Sequence, residues 1–192
     1  MLSTGQTTSR ATVSEAGLLT MRKPTVSPTA VPSPLPIAPP AGSLILEWHP
    51  GRYVLIHADC MERMLRYTRG PERELEAGGI FLGSYRGPHI EIMSITEPLL
   101  GDRRGRYVFD RNDPGHQAAA KSAWEKSGRT TTFTGEWHTH PEEVPTPSAV
   151  DLGTWKGLMK KSKDPLAFII LGWSRNWYGI AHEERIWPAG PV

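Results

Sequence analysis

Two histidines, a serine and an aspartate lie close together near residue 140, in an order suited to metal binding. His138 and His140 are two positions apart, Ser148 follows after seven further residues, and Asp151 is three residues beyond it. Imidazoles at positions i and i+2 of a strand face the same side. Ser148 is a favoured N-cap residue, so a helix that begins there carries Asp151 in its first turn. Two imidazoles and one carboxylate, with room for water, are the pattern of catalytic zinc.

A hydrolytic zinc site also needs a proton acceptor, because a side chain must carry the proton of the metal-activated water to the leaving amine. Five glutamates are candidates: Glu74, Glu76, Glu136, Glu142 and Glu143. Glu142 and Glu143 lie in a proline-rich loop, where we expect solvated charges. Glu136 shares the predicted histidine face of its strand, which suits a supporting role beside the ligands. Glu76 directly precedes a glycine-rich strand, which leaves space beside its carboxylate.

The elements that position these residues follow from the spacing of apolar, glycine and proline residues. We predict strands over residues 44–48, 53–57, 79–85, 89–95, 129–138, 167–173 and 177–182. We predict helices over residues 58–68, from Pro114 toward Gly128, and 148–161. Segment 96–114 is expected to be a charged loop. The order of elements predicts a mixed α/β or α+β domain.

Two of these elements have predicted faces. In the strand that ends at His138, Phe133 and Trp137 are expected on one face, and Glu136 and the histidines on the other. In the helix that follows, we expect the apolar side to pack on the core. Its members are Leu152, Trp155 and Leu158 or Met159.

Composition divides the chain at about residue 43. Residues 1–43 are rich in Ser, Thr and Pro and are predicted to be a disordered tail, followed by one domain over 44–192. The tail carries the whole formal charge of +2, and the remainder holds 19 basic and 19 acidic residues, so no nucleic-acid partner is expected. The single cysteine forms no intramolecular disulfide and no apolar run reaches membrane-spanning length, which favours the cytoplasm.

These residues resemble the signature of the JAMM (JAB/MPN) metalloprotease family: a glutamate, then His-x-His, seven residues, and Ser-x-x-Asp. The segments that carry it are EAGGIFLG and GEWHTHPEEVPTPSAVD, and the resemblance covers about residues 44–187. It implies an MPN/JAB-like, cytidine deaminase-like mixed sheet flanked by helices. By position it also implies one Zn²⁺ per chain held by His138, His140 and Asp151, with Glu76 as the general base and Ser148 as the hydrogen-bond donor to the oxyanion.

The segments PLLGDRRGRYVFDRNDPGHQ and GEWHTHPEEVPTPS further resemble prokaryotic JAB proteins found beside cGAS-like nucleotidyltransferases in antiphage (CBASS) operons. This implies an isopeptidase that removes a ubiquitin-like or C-terminal-tail conjugate, made by an E1/E2-like partner, from its target. The charged loop then gains a role, because four arginines are placed to bind an acidic tail. They are Arg103, Arg104, Arg106 and Arg111, and His116 is expected to help position the loop.

Two alternatives stay open. The first is an MPN-type module that keeps the fold and only scaffolds a complex, although the complete set of five site residues argues against it. The second is a relative of the RadC group, associated with DNA repair, whose histidine motif ends in a similar Pro-x-Pro-Ser run. That group lacks the EAGGIFLG arrangement, and residues 44–192 carry no net basic charge.

Overall fold

The computed structural model describes residues 40–192, so the predicted tail lies outside the described residues up to position 39. Residues 40–43 form a turn, closed by a bond from Ser43 N to Pro40 O, that leads into the first strand. Among the helices of this described part, none combines the length and apolar character of a membrane-spanning segment.

Eleven strands and three α-helices make up residues 44–191. The strands are β1 (Leu44–His49), β2 (Arg52–Ile56), β3 (Gly78–Arg86), β4 (His89–Ile95), β5 (Arg103–Gly105), β6 (Val108–Asp110), β7 (Thr132–Thr139), β8 (Leu166–Leu171), β9 (Asn176–His182), β10 (Arg185–Pro188) and β11 (Gly190–Pro191). The helices are α1 (Ala58–Leu65), α2 (Gly115–Lys126) and α3 (Ala149–Lys161). Two short 3-10 helices, Arg66–Thr68 and Gly70–Glu74, connect α1 to β3.

Nine strands form one mixed sheet in the order β10-β9-β8-β7-β3-β4-β2-β1-β11. The β2–β4 and β7–β8 pairs are parallel and the other pairs are antiparallel. A main apolar core contains Cys60 and Met64 of α1. A second core contains Trp155 and Leu158 of α3. Helices therefore cover the sheet, and the expected mixed sheet flanked by helices is confirmed.

Strand β7 contains a bulge that the alternation of its residues did not predict. Phe81 pairs with Gly135 and Leu82 with Phe133, so Thr134 is an extra residue in β7. Gly135 has a φ of 138°, and a Cβ there would lie 1.9 Å from the Ala167 carbonyl oxygen. The extra residue reverses the alternation, so Phe133 packs with the α3 core whereas Trp137 belongs to the main core. Placing both on one face was therefore wrong.

Helix α3 presents a narrower apolar side than expected. Trp155 and Leu158 are buried, but Leu152 is 47% exposed, so its assignment to the core was wrong. Asp151, Trp155 and Leu158 are spaced i, i+4 and i+7 and share one face. Leu152 lies about 100° around the helix from Asp151 and faces outward.

Segment 96–114, predicted as a loop, contains the two-stranded hairpin of β5 and β6. His116, which was expected to help position this segment, makes two contacts there. Its Nε2 lies 2.8 Å from Asp102 Oδ2, and its Nδ1 lies 2.6 Å from the hydroxyl of Thr96. Burial acts to raise the pKa of Asp102, but bonds from two backbone amides and from His116 outweigh it and lower that pKa. A buried anchor therefore fixes the base of the hairpin segment.

Candidate functional site

The two histidines and the aspartate meet where β7 ends and α3 begins. His138 Nε2 lies 3.1 Å from His140 Nε2 and 3.3 Å from one carboxylate oxygen of Asp151. His140 Nε2 lies 3.5 Å from the other oxygen. Donor atoms of a tetrahedral zinc with bonds of about 2.0–2.1 Å are about 3.3 Å apart. The histidines approach different oxygens of Asp151, and the three residues lie close enough together to hold one metal ion, as the sequence spacing predicted.

Ser148 caps α3 in the predicted way. Its hydroxyl accepts a bond from Asp151 N at 3.2 Å, and Asp151 Oδ2 accepts one from Ser148 N at 2.7 Å. Burial acts to raise the pKa of Asp151, but hydrogen bonds from His138, His140 and Ser148 outweigh it and hold that pKa well below its usual range. The carboxylate thus stays ionised and its direction is fixed by the start of the helix.

Glu76 reaches the same site from the neighbouring strand. Gly78 pairs with His138, Thr139 N donates to the Ala77 carbonyl oxygen, and Ala77 N donates to the Thr139 hydroxyl. Continuing this antiparallel register sets Glu76 opposite His140, so the two side chains share a face. Burial raises the pKa of Glu76 to about 7, and the positive charge of protonated His140 and His138 opposes that rise. A carboxyl group with such a pKa exchanges protons readily near neutral pH.

These side chains share one cleft of about 670 Å³. Glu76, His138, His140, Ser148 and Asp151 all line it. Residues of strand β6 also line the cleft, as do Val150 and Thr154 of α3. The five residues that the sequence singled out are therefore brought together in one solvent-accessible groove that is large enough for a peptide segment.

A family model described as prokaryotic homologs of the JAB domain matches residues 57–187, which contain the whole of this site. The chain belongs to this prokaryotic JAB family. The match spans the strands and helices that carry the site, including the β5–β6 hairpin.

Several relatives of known name are similar to this JAB protein. A CD-NTase/cGAS isopeptidase of Pseudomonas aeruginosa is 40% identical over 114 residues, which are 58% of this chain and 72% of that protein. A protein of the same name from Vibrio cholerae is 35% identical over 133 residues, 69% of this chain and 85% of the relative. A probable metalloprotease of Sinorhizobium fredii is 27% identical over 112 residues, which are 54% of this chain and 67% of that protein.

Glu136 is held by two neighbours. Its Oε1 accepts a bond from Trp155 Nε1 at 2.8 Å, and its Oε2 lies 3.0 Å from an Arg111 nitrogen. Both carboxylate oxygens are thus engaged, so Glu136 is poorly placed to take a proton from water. Glu136 does lie near His138, His140 and Asp151, because all four residues line the same cleft.

Glu142 makes a contact that sequence reasoning missed, although its side chain is 49% exposed, as expected for a solvated loop charge. Its Oε1 lies 3.1 Å from His140 Nδ1, which leaves Nε2 directed at the ligand set. Such a partner fixes the tautomer and orientation of a metal-binding histidine. The loop itself is tied down, since its carbonyls at Glu142 and Glu143 accept bonds from Trp173 N and Ser174 N. The spacing of two residues from His140 was the only signal in the sequence.

The four arginines proposed for tail binding all face acidic groups of this chain. Arg103 is 3.6 Å from Asp110, and Arg104 is 2.9 Å from Glu72. Arg106 pairs with Glu74, and Arg111 pairs with Glu136. Only Arg111 of these four lines the cleft. Contact with a substrate tail therefore stays a prediction, and the observed partners favour a structural role for the hairpin arginines.

Proposed function

We propose that this JAB protein is a zinc-dependent isopeptidase that cuts the bond joining the C-terminal tail of a conjugated protein to its target. The observation that carries the proposal is the meeting of Glu76 with the His138, His140 and Asp151 donor set in one groove. The membership in the JAB family and the names of three relatives support a hydrolase that uses a metal ion.

His138, His140 and Asp151 would hold the ion, because two imidazoles, one carboxylate and an open position form a catalytic zinc set. When bound, Zn²⁺ acidifies a coordinated water and polarises the scissile carbonyl. The ion requires neutral imidazoles, so its binding displaces protons. In the metal-free protein burial acts to lower the pKa of His140, but the carboxylate of Asp151 outweighs it and raises that pKa.

Glu76 moves the proton. Its carboxylate accepts a proton from the attacking water as the new C–O bond forms at the scissile carbonyl. It then delivers that proton to the amine nitrogen as the C–N bond breaks. Burial raises the pKa of Glu76 to about 7 in the metal-free protein and a bound cation lowers it, so the ionised base is available near neutral pH.

Ser148 stabilises the charge that develops on the carbonyl oxygen. Its hydroxyl oxygen already accepts the Asp151 amide, which leaves the hydroxyl proton available for donation. A donor fixed by a helix cap needs little reorganisation during the reaction. Helix capping and oxyanion stabilisation therefore use different parts of the same hydroxyl group.

The substrate we infer is the C-terminal tail of a cGAS-like nucleotidyltransferase conjugated by an E1/E2-like protein in the cytoplasm. Two relatives named CD-NTase/cGAS isopeptidase support this inference. The tail would lie extended along β6, which pairs with β5 on one side and borders the cleft. Main-chain bonds to such a strand hold a peptide without strict sequence demands. No nucleic-acid or membrane partner is part of this proposal.

The test uses a nucleotidyltransferase joined through its C-terminal carboxyl to a lysine of a target peptide. The zinc-loaded protein is expected to release the intact nucleotidyltransferase, as measured by mass spectrometry of both products. Chelation should stop the release and added Zn²⁺ should restore it. A linear fusion through the same carboxyl separates isopeptide from ordinary peptide specificity.

Failure of the zinc-loaded wild type to cleave either probe would contradict the proposal. Cleavage that survives chelation and Glu76→Gln would also contradict it, because the reaction would then use another site. The Glu143→Gln variant is the matched control, since it removes an exposed carboxylate of the adjacent loop that does not line the groove.

A further inference from the structure

The β5–β6 hairpin is hydrogen-bonded to both the amide N–H and the carbonyl oxygen of Glu76. Glu76 N donates to Gly105 O at 2.8 Å. Arg104 Nε donates to Glu76 O at 2.9 Å. Both backbone polar groups of this residue are therefore satisfied by strand β5. The position of its carboxylate in the groove depends on a segment about thirty residues further along the chain.

The side chain of Arg104 is more buried than that of Arg103, the preceding residue of β5. Its side chain is 22% exposed, compared with 72% for Arg103. Its guanidinium lies 5.5 Å from the Tyr67 ring, and its NH1 lies 2.9 Å from Glu72. Tyr67, Glu72 and the Glu76 carbonyl together fix the orientation of the guanidinium, so its Nε is held in position to donate.

Arg104 does not line the substrate groove, whereas Glu76 is among the residues that line it. A direct contact between its guanidinium and a tail bound in the groove is therefore disfavoured. Its route to the reaction runs through the Glu76 carbonyl.

We propose that Arg104 is a positioning residue that sets the placement of the Glu76 carboxylate, an inference that rests on the proposed function of Glu76. The hairpin that borders the groove through β6 is the same unit that holds Glu76 through β5. Loss of the Arg104 bond should disturb proton transfer and leave tail binding intact. The expected effect is a lower kcat with an unchanged KM.

The experiment compares Arg104→Met, Arg104→Lys and the matched control Arg103→Met. Arg103 is the adjacent residue of the same strand, and its partner Asp110 lies within the hairpin. We expect Arg104→Met to lower kcat about tenfold or more with KM within about twofold, because a misplaced catalytic group costs rate. Arg104→Lys keeps the charge but lacks the Nε donor, so it should resemble Arg104→Met. Arg103→Met should leave kcat unchanged, and a change confined to KM would report only the tail contact predicted for that arginine.

A second measurement reads the contact without any cleavage. Amide hydrogen exchange at Glu76 is expected to speed up at least about tenfold in Arg104→Met and to stay unchanged in Arg103→Met, because local opening of the bond to Gly105 becomes easier. Zinc content and melting temperature are measured for each variant. If the wild type cleaves no conjugate, the proposed function fails, and exchange at Glu76 still decides whether Arg104 holds this backbone.

Two results would overturn the inference. One is unchanged kcat and unchanged exchange in Arg104→Met. The other is a raised KM with a normal kcat in Arg104→Met, together with full activity in Arg104→Lys. That pair of results would show that the positive charge of Arg104 binds the tail. Should Arg104→Met not fold, Glu72→Gln gives the milder change, since it removes only the partner that orients the guanidinium. The same split, with kcat lowered and KM unchanged, is then expected at a smaller size.

Discussion

The ligand cluster, which is His138, His140 and Asp151, and the arginine hairpin, which is residues 103–111, use charge in opposite ways. The donor atoms of the ligand cluster approach within 3.1 to 3.5 Å, a spacing that suits a cation between them. Each arginine of the hairpin is already paired with an acidic side chain. Changes in the ligand cluster should therefore remove chemistry, whereas changes in the hairpin should alter geometry and stability.

The largest effect is expected at Glu76, where the two regions meet. Glu76→Gln keeps the size of the side chain but removes the proton acceptor, so kcat should fall about 10²–10⁴-fold. Zinc content, measured by elemental analysis, should stay at the wild-type level because Glu76 is not in the donor set. Activity close to that of the wild type would contradict its assignment as the base.

The next effect concerns the metal. Asp151→Asn keeps an oxygen that can accept the Ser148 amide but removes the anionic ligand. Zinc affinity is measured by competition with a chelator. Loss of a partner that only orients a ligand typically weakens the affinity about 10–100-fold, and loss of Asp151 as a ligand should weaken it more. Glu142→Gln, which alters such a partner of His140, is the comparison variant. Equal losses in both variants would mean that Asp151 is not a ligand.

The pH dependence tests the protonation state of Glu76. Burial raises its pKa to about 7, and the base must be ionised to act, so kcat/KM should rise with pH by about tenfold per unit below that pKa. A bound cation lowers the pKa of a nearby carboxyl group, so the rise should level off at or below pH 7. Zinc content is measured at each pH, so that the dependence of kcat/KM on Glu76 ionisation is separated from loss of the metal at low pH. A rate that falls as pH increases from 5 to 7 would contradict the prediction.

The smallest effects are expected away from the groove chemistry. Glu136→Gln weakens the contact between β7 and Arg111, whose side chain is 22% exposed. We expect it to lower the free energy of unfolding by about 1–2 kcal/mol, below the cost for a fully buried pair. Arg103→Met breaks an exposed pair and should cost less than about 0.5 kcal/mol. Chemical denaturation measures both, and equal losses would remove the contrast between them.

The same two regions differ in how far the sequence predicted them. The ligand cluster depends on short spacings, so a strand followed by a capped helix was enough to predict that His138, His140 and Asp151 converge. Glu76 needed more, because its approach depends on the pairing of β3 with β7 across about sixty residues. The resemblance to a known signature supplied that information, and spacing alone left five glutamates open.

The hairpin and the bulge were beyond local reasoning. Strands β5 and β6 have three residues each, and their charged sequence is typical of a loop. They are stabilised by contacts with Glu72, Glu74 and Glu76, which no local pattern reveals. The bulge at Thr134 depends on the close approach of Ala167 to Gly135. These features arise from the packing of distant segments.

The bulge in β7 also restricts how this strand can be exchanged between relatives. Phe133 and Gly135 pair with adjacent residues of β3, so a deletion of Thr134 would keep His138 and Trp137 on their present faces, whereas a deletion between Gly135 and His138 would put His138 and Phe133 on opposite faces of the sheet. A chimera joined at Thr134 therefore accepts the loss of that residue, and a junction nearer the histidines does not. Grafts that carry Gly135 through Asp151 as one piece keep the register between the bulge and the site. The transferable unit of this enzyme is therefore longer than its visible motif by the three residues before His138.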